Sequence, residues 1–197
     1  FSMVSALLNM QSRSHKSPEV KDALEMASTR VNSFAAIHDS IYSSGDFQDN
    51  IDIADYLKAL CESLRTAFAS NSNISITLTT ASYRMERDKA VALGLILNEV
   101  VTNAVKHAFP DDRKGLIQVS FVACEGEPWA LTISDNGCGI KNEGAKKKPS
   151  NDKKENGGLG TRLMSTFAQN VQAEIEVTST RDGTVFTLLE KSQDEAE

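Results

Sequence analysis

The chain has 197 residues, of which 27 are acidic and 21 basic, so its net charge is −6. This balance argues against a nucleic-acid scaffold, which needs a surplus of basic side chains to neutralise phosphates. The length allows one large domain or two small ones. No apolar run approaches the roughly 18 residues that cross a bilayer, and the first residues lack the pattern of a secretory signal. The sequence therefore predicts a cytoplasmic globular protein with no membrane segment in this chain.

The three cysteines match neither a disulfide framework nor a metal motif. Cys61, Cys124 and Cys138 are odd in number and widely spaced, and none belongs to a C-x-x-C pair. This arrangement argues against structural disulfides and against a zinc site. We expect all three to be reduced thiols.

Two helices are predicted at the start of the chain. Phe1 to Ser12 has the apolar spacing of one helix face, and a polar turn ending at Ser17-Pro18 separates it from a heptad pattern. The heptad positions, at alternating steps of four and three, are Val20, Leu24, Ala27, Val31, Phe34, His38 and Ile41. One helical hairpin cannot enclose a core, so we expect a second copy of the chain to complete a four-helix bundle.

The rest of the chain changes from helical to mixed patterns near residue 70. A third helix is predicted from about Asp52 to Phe68, with Asp52 as its cap. From Ile74 the apolar period becomes two, which is typical of a strand with one wet face. Helices are then predicted at about 88–108 and 159–171, and strands at about 116–123, 129–134, 174–178 and 184–190. Strands gathered against helices on one face indicate an α+β two-layer sandwich. The predicted domains are therefore 1–69 and 70–197.

The long helix near residues 88–108 carries a polar stripe on an otherwise apolar surface. Around the helix axis, Asn103 lies about 40° and Lys106 about −20° from Glu99. Such side chains can simply bond to neighbouring backbone, as most internal polar groups do. They can also form a site in which carboxylate and amide oxygens meet a hydrated Mg²⁺ while the lysine meets phosphate. The helix alone leaves both interpretations open.

Two further clusters contain closely spaced glycines. The segment Asp135-Asn136-Gly137-Cys138-Gly139-Ile140 follows a predicted strand, where a carboxylate can accept a hydrogen bond from an exocyclic amine. Ordinary turn chemistry explains the same residues. The segment Gly157-Gly158-Leu159-Gly160-Thr161 leaves a polar loop, 141–156, and enters a helix, where backbone N–H groups can bind phosphate. A flexible hinge is the alternative for this second cluster.

Taken in order, these motifs resemble those of a known superfamily. Asn98 to Phe109, Asp135 to Ile140, Gly158-Leu159-Gly160 and Gly183 to Phe186 resemble the N, G1 and G2 boxes and the closing strand of the GHKL ATPases. Within that superfamily, the segments Met3 to Arg13 and Ile37 to Tyr42 are similar to sensor histidine kinases of the HisKA_2/HWE type. The resemblance covers nearly the whole chain. It implies a helical dimerisation hairpin followed by an ATP-binding domain of the GHKL (Bergerat) type.

The resemblance also implies roles for individual residues, with ATP and Mg²⁺ as cofactors. Asn103 would ligate the metal, and Glu99 would support the metal or its water, so these two are the expected catalytic and metal-binding residues. Lys106 and His107 would approach the phosphates or ribose, and Asp135 would bind the adenine amine. Loop 141–156 would be the ATP lid. The other expected nucleotide contacts are Gly137, Gly139, Gly158, Leu159, Gly160, Thr161 and Thr184.

The reaction implied is autophosphorylation on histidine, followed by relay to an aspartate of a response-regulator receiver domain. A homodimer through the hairpin is expected, with no nucleic-acid partner. The family's phosphoacceptor motif aligns just before Phe1, so we expect the accepting histidine upstream, since His15, His38 and His107 are all poorly placed. Two alternatives stay open, a histidine phosphotransferase with a vestigial ATP domain and an anti-sigma-type GHKL serine kinase.

Overall fold

We describe the protein from a computed structural model. The structure describes residues 2–15, 50–69, 73–124, 126–140 and 159–191, together with residues 17, 20, 21, 24, 27, 28, 31 and 35. Contacts within the chain divide it into two compact units, Phe1–Phe47 and Gln48–Glu197.

The first unit is helical wherever it is described as an element. Helix α1 spans Ser2–Ser14, and Leu7 and Met10 on it are 50% and 58% exposed. Residues 20, 21, 24, 27, 28, 31 and 35 are also helical, and the heptad positions among them are half-buried. The helical prediction is therefore confirmed over this part. Phe34, His38 and Ile41 lie outside the described residues, and the four-helix bundle stays a prediction.

In its described part, the second unit contains a five-stranded mixed sheet, a two-stranded sheet and three α-helices. Its elements in chain order are β1 (Asn50–Asp52), α2 (Ile53–Ala67), β2 (Ile74–Thr80), β3 (Arg84–Glu86), α3 (Arg87–His107), a 3₁₀ turn (Pro110–Asp112), β4 (Gly115–Val122), β5 (Ala130–Asp135), α4 (Leu159–Asn170), β6 (Ala173–Thr180) and β7 (Gly183–Glu190). The sheet order is β2-β4-β5-β7-β6. Only β2 and β4 pair in parallel, and the other neighbours are antiparallel.

The core lies between one face of this sheet and the helices. Helix α2 packs on β2, α3 contacts β5, and α4 contacts both α3 and β6. Alternate residues of the strands are buried beneath them, as the burial of Val119, Ile133 and Leu188 shows. On the opposite face Thr77 and Gln118 are exposed. The predicted α+β fold with one wet sheet face is confirmed.

Two short strands were not predicted, and the position of the domain boundary differs. Strands β1 and β3 have three residues each and pair antiparallel, and three residues are too few for a period-two pattern to stand out. The compact units meet at residues 47 and 48, whereas the prediction groups helix α2 with the hairpin and divides the chain near residue 70. As a statement about domain roles, that division stays a prediction.

Asp52 caps helix α2 and should make stability depend on pH. Its Oδ1 accepts from the Ala54 N–H and its Oδ2 from the Ser82 hydroxyl, both at 2.8 Å. The Ser82 hydrogen bond is the main reason that the pKa of Asp52 lies below its ordinary value of 3.8. A carboxyl group whose pKa is lower in the folded than in the unfolded state stabilises the protein at pH values above the unfolded-state pKa. This stabilisation is lost as the pH falls through the folded-state pKa.

We therefore expect Asp52→Ala to lower the free energy of unfolding by about 1 kcal/mol at pH 7, the usual value of such a cap. The difference from the original protein should shrink steadily below pH 4. Urea unfolding between pH 7 and pH 3, followed by fluorescence of the single tryptophan, measures it. A difference independent of pH would contradict the assigned role of the carboxylate.

Gly94 lies where the side chain of Tyr56 crosses helix α3. A Cβ on Gly94 would lie 1.9 Å from the Tyr56 hydroxyl oxygen, and Tyr56 is only 4% exposed. That hydroxyl has no hydrogen-bond partner among the described residues, and burial raises the pKa of the phenol. Glycine therefore permits close packing of α2 on α3.

Gly94→Ala should destabilise the protein by about 1 to 3 kcal/mol, the usual cost of overpacking a core. On an exposed helix face, replacing glycine by alanine usually stabilises a protein by about 1 kcal/mol, so the expected change in stability here has the opposite sign. Denaturant unfolding measures the effect. Adding Tyr56→Phe should recover part of the lost stability, because the hydroxyl that meets the new methyl group is removed. A Gly94→Ala variant more stable than the original protein would show that helices α2 and α3 can move apart without cost.

Candidate functional site

The helix-facing side of the sheet changes from apolar to polar at the end of β5. One cross-strand row contains Ile133 and Phe186, which are both buried. The next row toward the end of β5 consists of Asp135, Thr184 and Ser179, each half-buried. Because its polar groups are close together and partly accessible, this row is the floor of the candidate site.

Asp135 is fixed by the backbone through one of its two carboxylate oxygens. Its Oδ1 accepts from the N–H of Gly137 at 2.8 Å and from the N–H of Thr184 at 3.3 Å. Its Oδ2 makes no hydrogen bond to another described residue. One oxygen therefore sets the orientation of the carboxylate, and the other can accept a hydrogen bond from a ligand.

The loop after β5 lies against the end of helix α3. The Cys138 N–H donates to the carbonyl oxygen of Ala108 at 2.9 Å. A Cβ on Gly137 would lie 2.4 Å from the Ala108 Cβ and 2.5 Å from its carbonyl oxygen. Glycine at 137 is thus needed for this contact, which places the loop beside the last turn of α3, where Lys106 and His107 are exposed.

The second half of the same loop is tied to strand β6. The Ile140 N–H donates to Ser179 Oγ at 2.8 Å, and Ser179 Oγ lies 3.1 Å from Thr184 Oγ1. Gly139 has φ +69°, and a Cβ there would lie 1.9 Å from the carbonyl oxygen of Thr180. Both predicted glycines of this loop are therefore required by close contacts with neighbouring backbone.

The predicted polar stripe on α3 runs from the core to solvent. Glu99 is 9% exposed, Asn103 one turn later is half-buried, and Lys106 is exposed. Glu99 has interaction partners within the protein. Next to Asn103, the buried Thr102 hydroxyl has no hydrogen-bond partner among the described residues. Within the described part of the chain, the polar side of α3 is therefore satisfied at Glu99 and not at Thr102.

These residues fit a hydrated Mg²⁺ ion better than a metal held by protein ligands alone. Among the described residues there is no group of three or more His, Cys, Asp and Glu side chains that could hold a metal. Mg²⁺ commonly keeps several waters and is held by one or two protein oxygens together with substrate phosphates. In such a site, the amide of Asn103 and the carboxylate of Glu99, one helical turn apart, would be the protein oxygens.

The predicted phosphate-binding residues are described only in part. Leu159, Gly160 and Thr161 form the first turn of α4, which packs beside α3. Gly158 and the predicted lid, 141–156, lie outside the described residues. His15 is exposed just beyond α1, and His38 lies outside the described part. Cys61, Cys124 and Cys138 are free thiols, as expected.

The structure adds contacts that the sequence analysis missed. Asn136 joins β5 to β4, because its Oδ1 accepts from the Leu116 N–H at 2.8 Å and its carbonyl oxygen accepts from Arg113 Nη2 at 3.0 Å. Ser179 is the second missed residue. The signal for it is visible in β6, where inward positions Ile175 and Val177 are followed by a polar one.

Comparison with known proteins agrees with the predicted boxes. Residues 57–189 match the family model of the histidine kinase-like ATPase domain. The chain belongs to this family. The match contains every predicted site residue. Residues 1–68 match a second model, HisKA_2, described as histidine kinase, so the predicted resemblance is confirmed in both parts of the chain.

Individual relatives are similar over parts of the chain. Blue-light-activated histidine kinase 2 of Erythrobacter litoralis is 33% identical over 101 residues, which are 51% of this chain and 27% of that protein. The chain thus spans about a quarter of that relative's length. The anti-sigma F factor of Anoxybacillus flavithermus is 28% identical over 123 residues, 61% of this chain and 82% of that protein.

A solved structure shows the same fold. The histidine kinase domain of the Erythrobacter litoralis EL346 blue-light-activated histidine kinase has a TM-score of 0.70 at 21% identity, covering 96% of this chain and 95% of that one. Among the described residues, no helix is long and apolar enough to cross a membrane.

Proposed function

We propose that this chain is the core of a sensor histidine kinase that binds Mg·ATP between helix α3 and the loop Asp135–Ile140. The observation that carries the proposal is the state of Asp135. One of its oxygens is held by two backbone N–H groups, while the other has no hydrogen bond to the described residues and can accept one from a ligand. The surrounding row is polar, and it lies beside the end of the polar stripe on α3.

Each part of the site has a distinct task in this proposal. Asp135 accepts a hydrogen bond from the adenine amine, and the glycines at 137 and 139 let the loop lie close to the ring. Lys106 and the first turn of α4 hold the phosphates. Bound through Asn103 and Glu99, Mg²⁺ would neutralise charge on the phosphates. Catalysis then depends mainly on positioning and on electrostatic stabilisation by these groups.

The proposed reaction transfers the γ-phosphoryl group to a histidine nitrogen. The bond from phosphorus to the β-γ bridging oxygen breaks, a P–N bond forms, and the imidazole proton is released. In the relay the P–N bond breaks as a P–O bond forms on a response-regulator aspartate. Support comes from the histidine kinase match over residues 1–68. That region exposes Leu7 and Met10, as expected if a second copy covers α1 in a homodimer.

A serine kinase of the anti-sigma type is the second candidate. The similarity to an anti-sigma F factor, covering 82% of that protein, supports it. The histidine kinase match at the start of the chain favours the first candidate. The two predict products of different stability, because phosphohistidine is lost in acid whereas phosphoserine survives it.

Nucleotide binding is the first test. Titration calorimetry should detect ADP and ATP binding that is strengthened by Mg²⁺. We expect Asn103→Ala to lose at least 10-fold in affinity in the presence of Mg²⁺ and little in EDTA, because the amide oxygen acts through the metal. The fold should be retained, since a half-buried polar side chain is removed without opening a cavity in the apolar core.

Gln118→Ala is the matched control, because this amide is exposed on the other face of the sheet. It should bind like the original protein. Equal losses for Asn103→Ala with and without Mg²⁺ would contradict the metal role, and no binding at millimolar nucleotide would overturn the proposed function.

Phosphoryl transfer is the second test. A chain that includes the expected accepting histidine is incubated with γ-labelled ATP alone, and the label is tracked after acid and after alkali; a receiver domain is added only afterwards, to follow the relay. Acid-labile label supports the histidine kinase. Acid-stable, alkali-labile label would instead support the serine kinase.

A further inference from the structure

We propose that Ser179 is a positioning residue that turns the Thr184 hydroxyl into a hydrogen-bond donor toward the nucleotide base. The inference rests on the proposed nucleotide function and deepens it. It concerns a residue on strand β6, which is separate from the loop and from the helix that hold the other site groups.

Ser179 contacts strand β7 and two residues of the loop after β5. It lies directly opposite Thr184 in the pairing of β6 with β7, with 3.1 Å between the two hydroxyl oxygens. It accepts the Ile140 N–H at 2.8 Å. A Cβ on Gly139 would lie 3.0 Å from Ser179 Oγ, so the loop rests on this hydroxyl. Both strand residues are half-buried and occupy the same row as Asp135.

Either hydroxyl could donate across the contact between Ser179 and Thr184, and we infer its direction by counting protons. The Ile140 N–H can only donate, so Ser179 Oγ accepts there. Thr184 Oγ1 is the other hydroxyl partner that the structure gives Ser179, and donating to it uses the Ser179 proton in a hydrogen bond. Thr184 then accepts from Ser179, and its own proton is left to donate. The chain of donors runs from Ile140 through Ser179 and Thr184 to the ligand, and each bond polarises the next.

This direction has a consequence for base recognition. Asp135 Oδ2 can only accept, and Thr184, its neighbour in the row, would donate, directly or through one water. On the protein side, an acceptor therefore lies beside a donor. This pair is complementary to a ligand edge on which an amine, which donates, lies next to a ring nitrogen that accepts. Adenine offers this edge in its 6-amino group and N1, whereas guanine presents a carbonyl and an N–H in reverse order. Ser179 would therefore contribute to selection of adenine without touching it.

The experiment combines a change in the protein with a change in the ligand. ADP and 1-deaza-ADP, which has C–H in place of N1, are titrated against the original chain and against Ser179→Ala. The original chain should bind ADP about 10-fold more tightly than 1-deaza-ADP, which is the usual contribution of one hydrogen bond. In Ser179→Ala this ratio should fall to about 3-fold or less, because the Thr184 proton is no longer held toward the ligand.

Further variants separate positioning from a structural effect. Ser179→Thr keeps the hydroxyl and should restore the ratio, whereas Ser179→Cys, with a weak S–H donor, should lower it in a side chain of similar size. In a Thr184→Val background, Ser179→Ala should leave the ratio unchanged. Thr178→Ala removes a hydroxyl from the other face of β6 and should behave like the original chain.

The outcomes are distinguishable. If the original chain binds neither nucleotide, the proposed function fails, and this inference fails with it. If it binds both equally, or if Ser179→Ala weakens both by the same factor and preserves the ratio, nucleotide binding stands and the role of Ser179 is overturned.

Discussion

Asp135→Asn is expected to weaken adenine nucleotide binding by about 100-fold or more while leaving the fold intact. The amide oxygen of asparagine can replace Oδ1 and keep accepting from the Gly137 and Thr184 N–H groups. The amide nitrogen then takes the place of Oδ2. It is a donor, and it faces the adenine amine, which is also a donor, so no hydrogen bond forms between them. Loss of a charge-assisted hydrogen bond costs about 1.5 to 3 kcal/mol, and two facing donors add to that loss.

Asp135→Ala is the informative companion to this variant. It removes both oxygens, leaving two backbone N–H groups without an acceptor, so it should lower stability by about 1 to 3 kcal/mol as well as affinity. Calorimetry with ADP and urea unfolding of both variants separate the two effects. Tight ADP binding by a folded Asp135→Asn protein would show that Oδ2 does not contact the base, and the nucleotide site would then need another position.

The fold was predictable where a pattern repeats over many residues. Helix α3 has 21 residues, and its apolar run predicts its bounds to within one residue. The burial of strand β6 alternates over all eight of its residues. By contrast, β1 and β3 are three residues long, and they exist because each pairs with the other across more than 30 positions of sequence. Pairing over such a distance leaves no local signal.

The candidate site shows the same limit more sharply. The glycines at 137 and 139 stand out in the sequence, yet the reasons for them are the carbonyl oxygens of Ala108 and Thr180, which no local pattern identifies. Ser179 has no motif at all and acquires a role only through strand register. Sequence motifs therefore predict which residue types lie in the site. The register of strand pairing and the position of the end of α3 determine which of their atoms are in contact.

Strand register also makes Gly183 a sensitive position, and Gly183→Ala should affect fold and site together. Gly183 has φ +140°, and a Cβ there would lie 1.9 Å from the carbonyl oxygen of Asp135. Neither backbone can move without disturbing the pairing of β5 with β7, which places Thr184 opposite Asp135. Overpacking and backbone strain each cost about 1 to 3 kcal/mol, so we expect a loss of about 2 to 6 kcal/mol in stability.

Gly126→Ala isolates the part of this loss that is due to the backbone alone. Gly126 has φ +81°, and an added Cβ would meet no atom within 4 Å, so its cost should be about 1 kcal/mol. Urea unfolding monitored by Trp129 fluorescence gives both values, and ADP titration of folded protein should show lost affinity only in Gly183→Ala. Equal losses of unfolding free energy in the two variants would mean that β7 moves away from Asp135 without cost. The close contact between β5 and β7 would then not be what fixes the row of Asp135, Thr184 and Ser179.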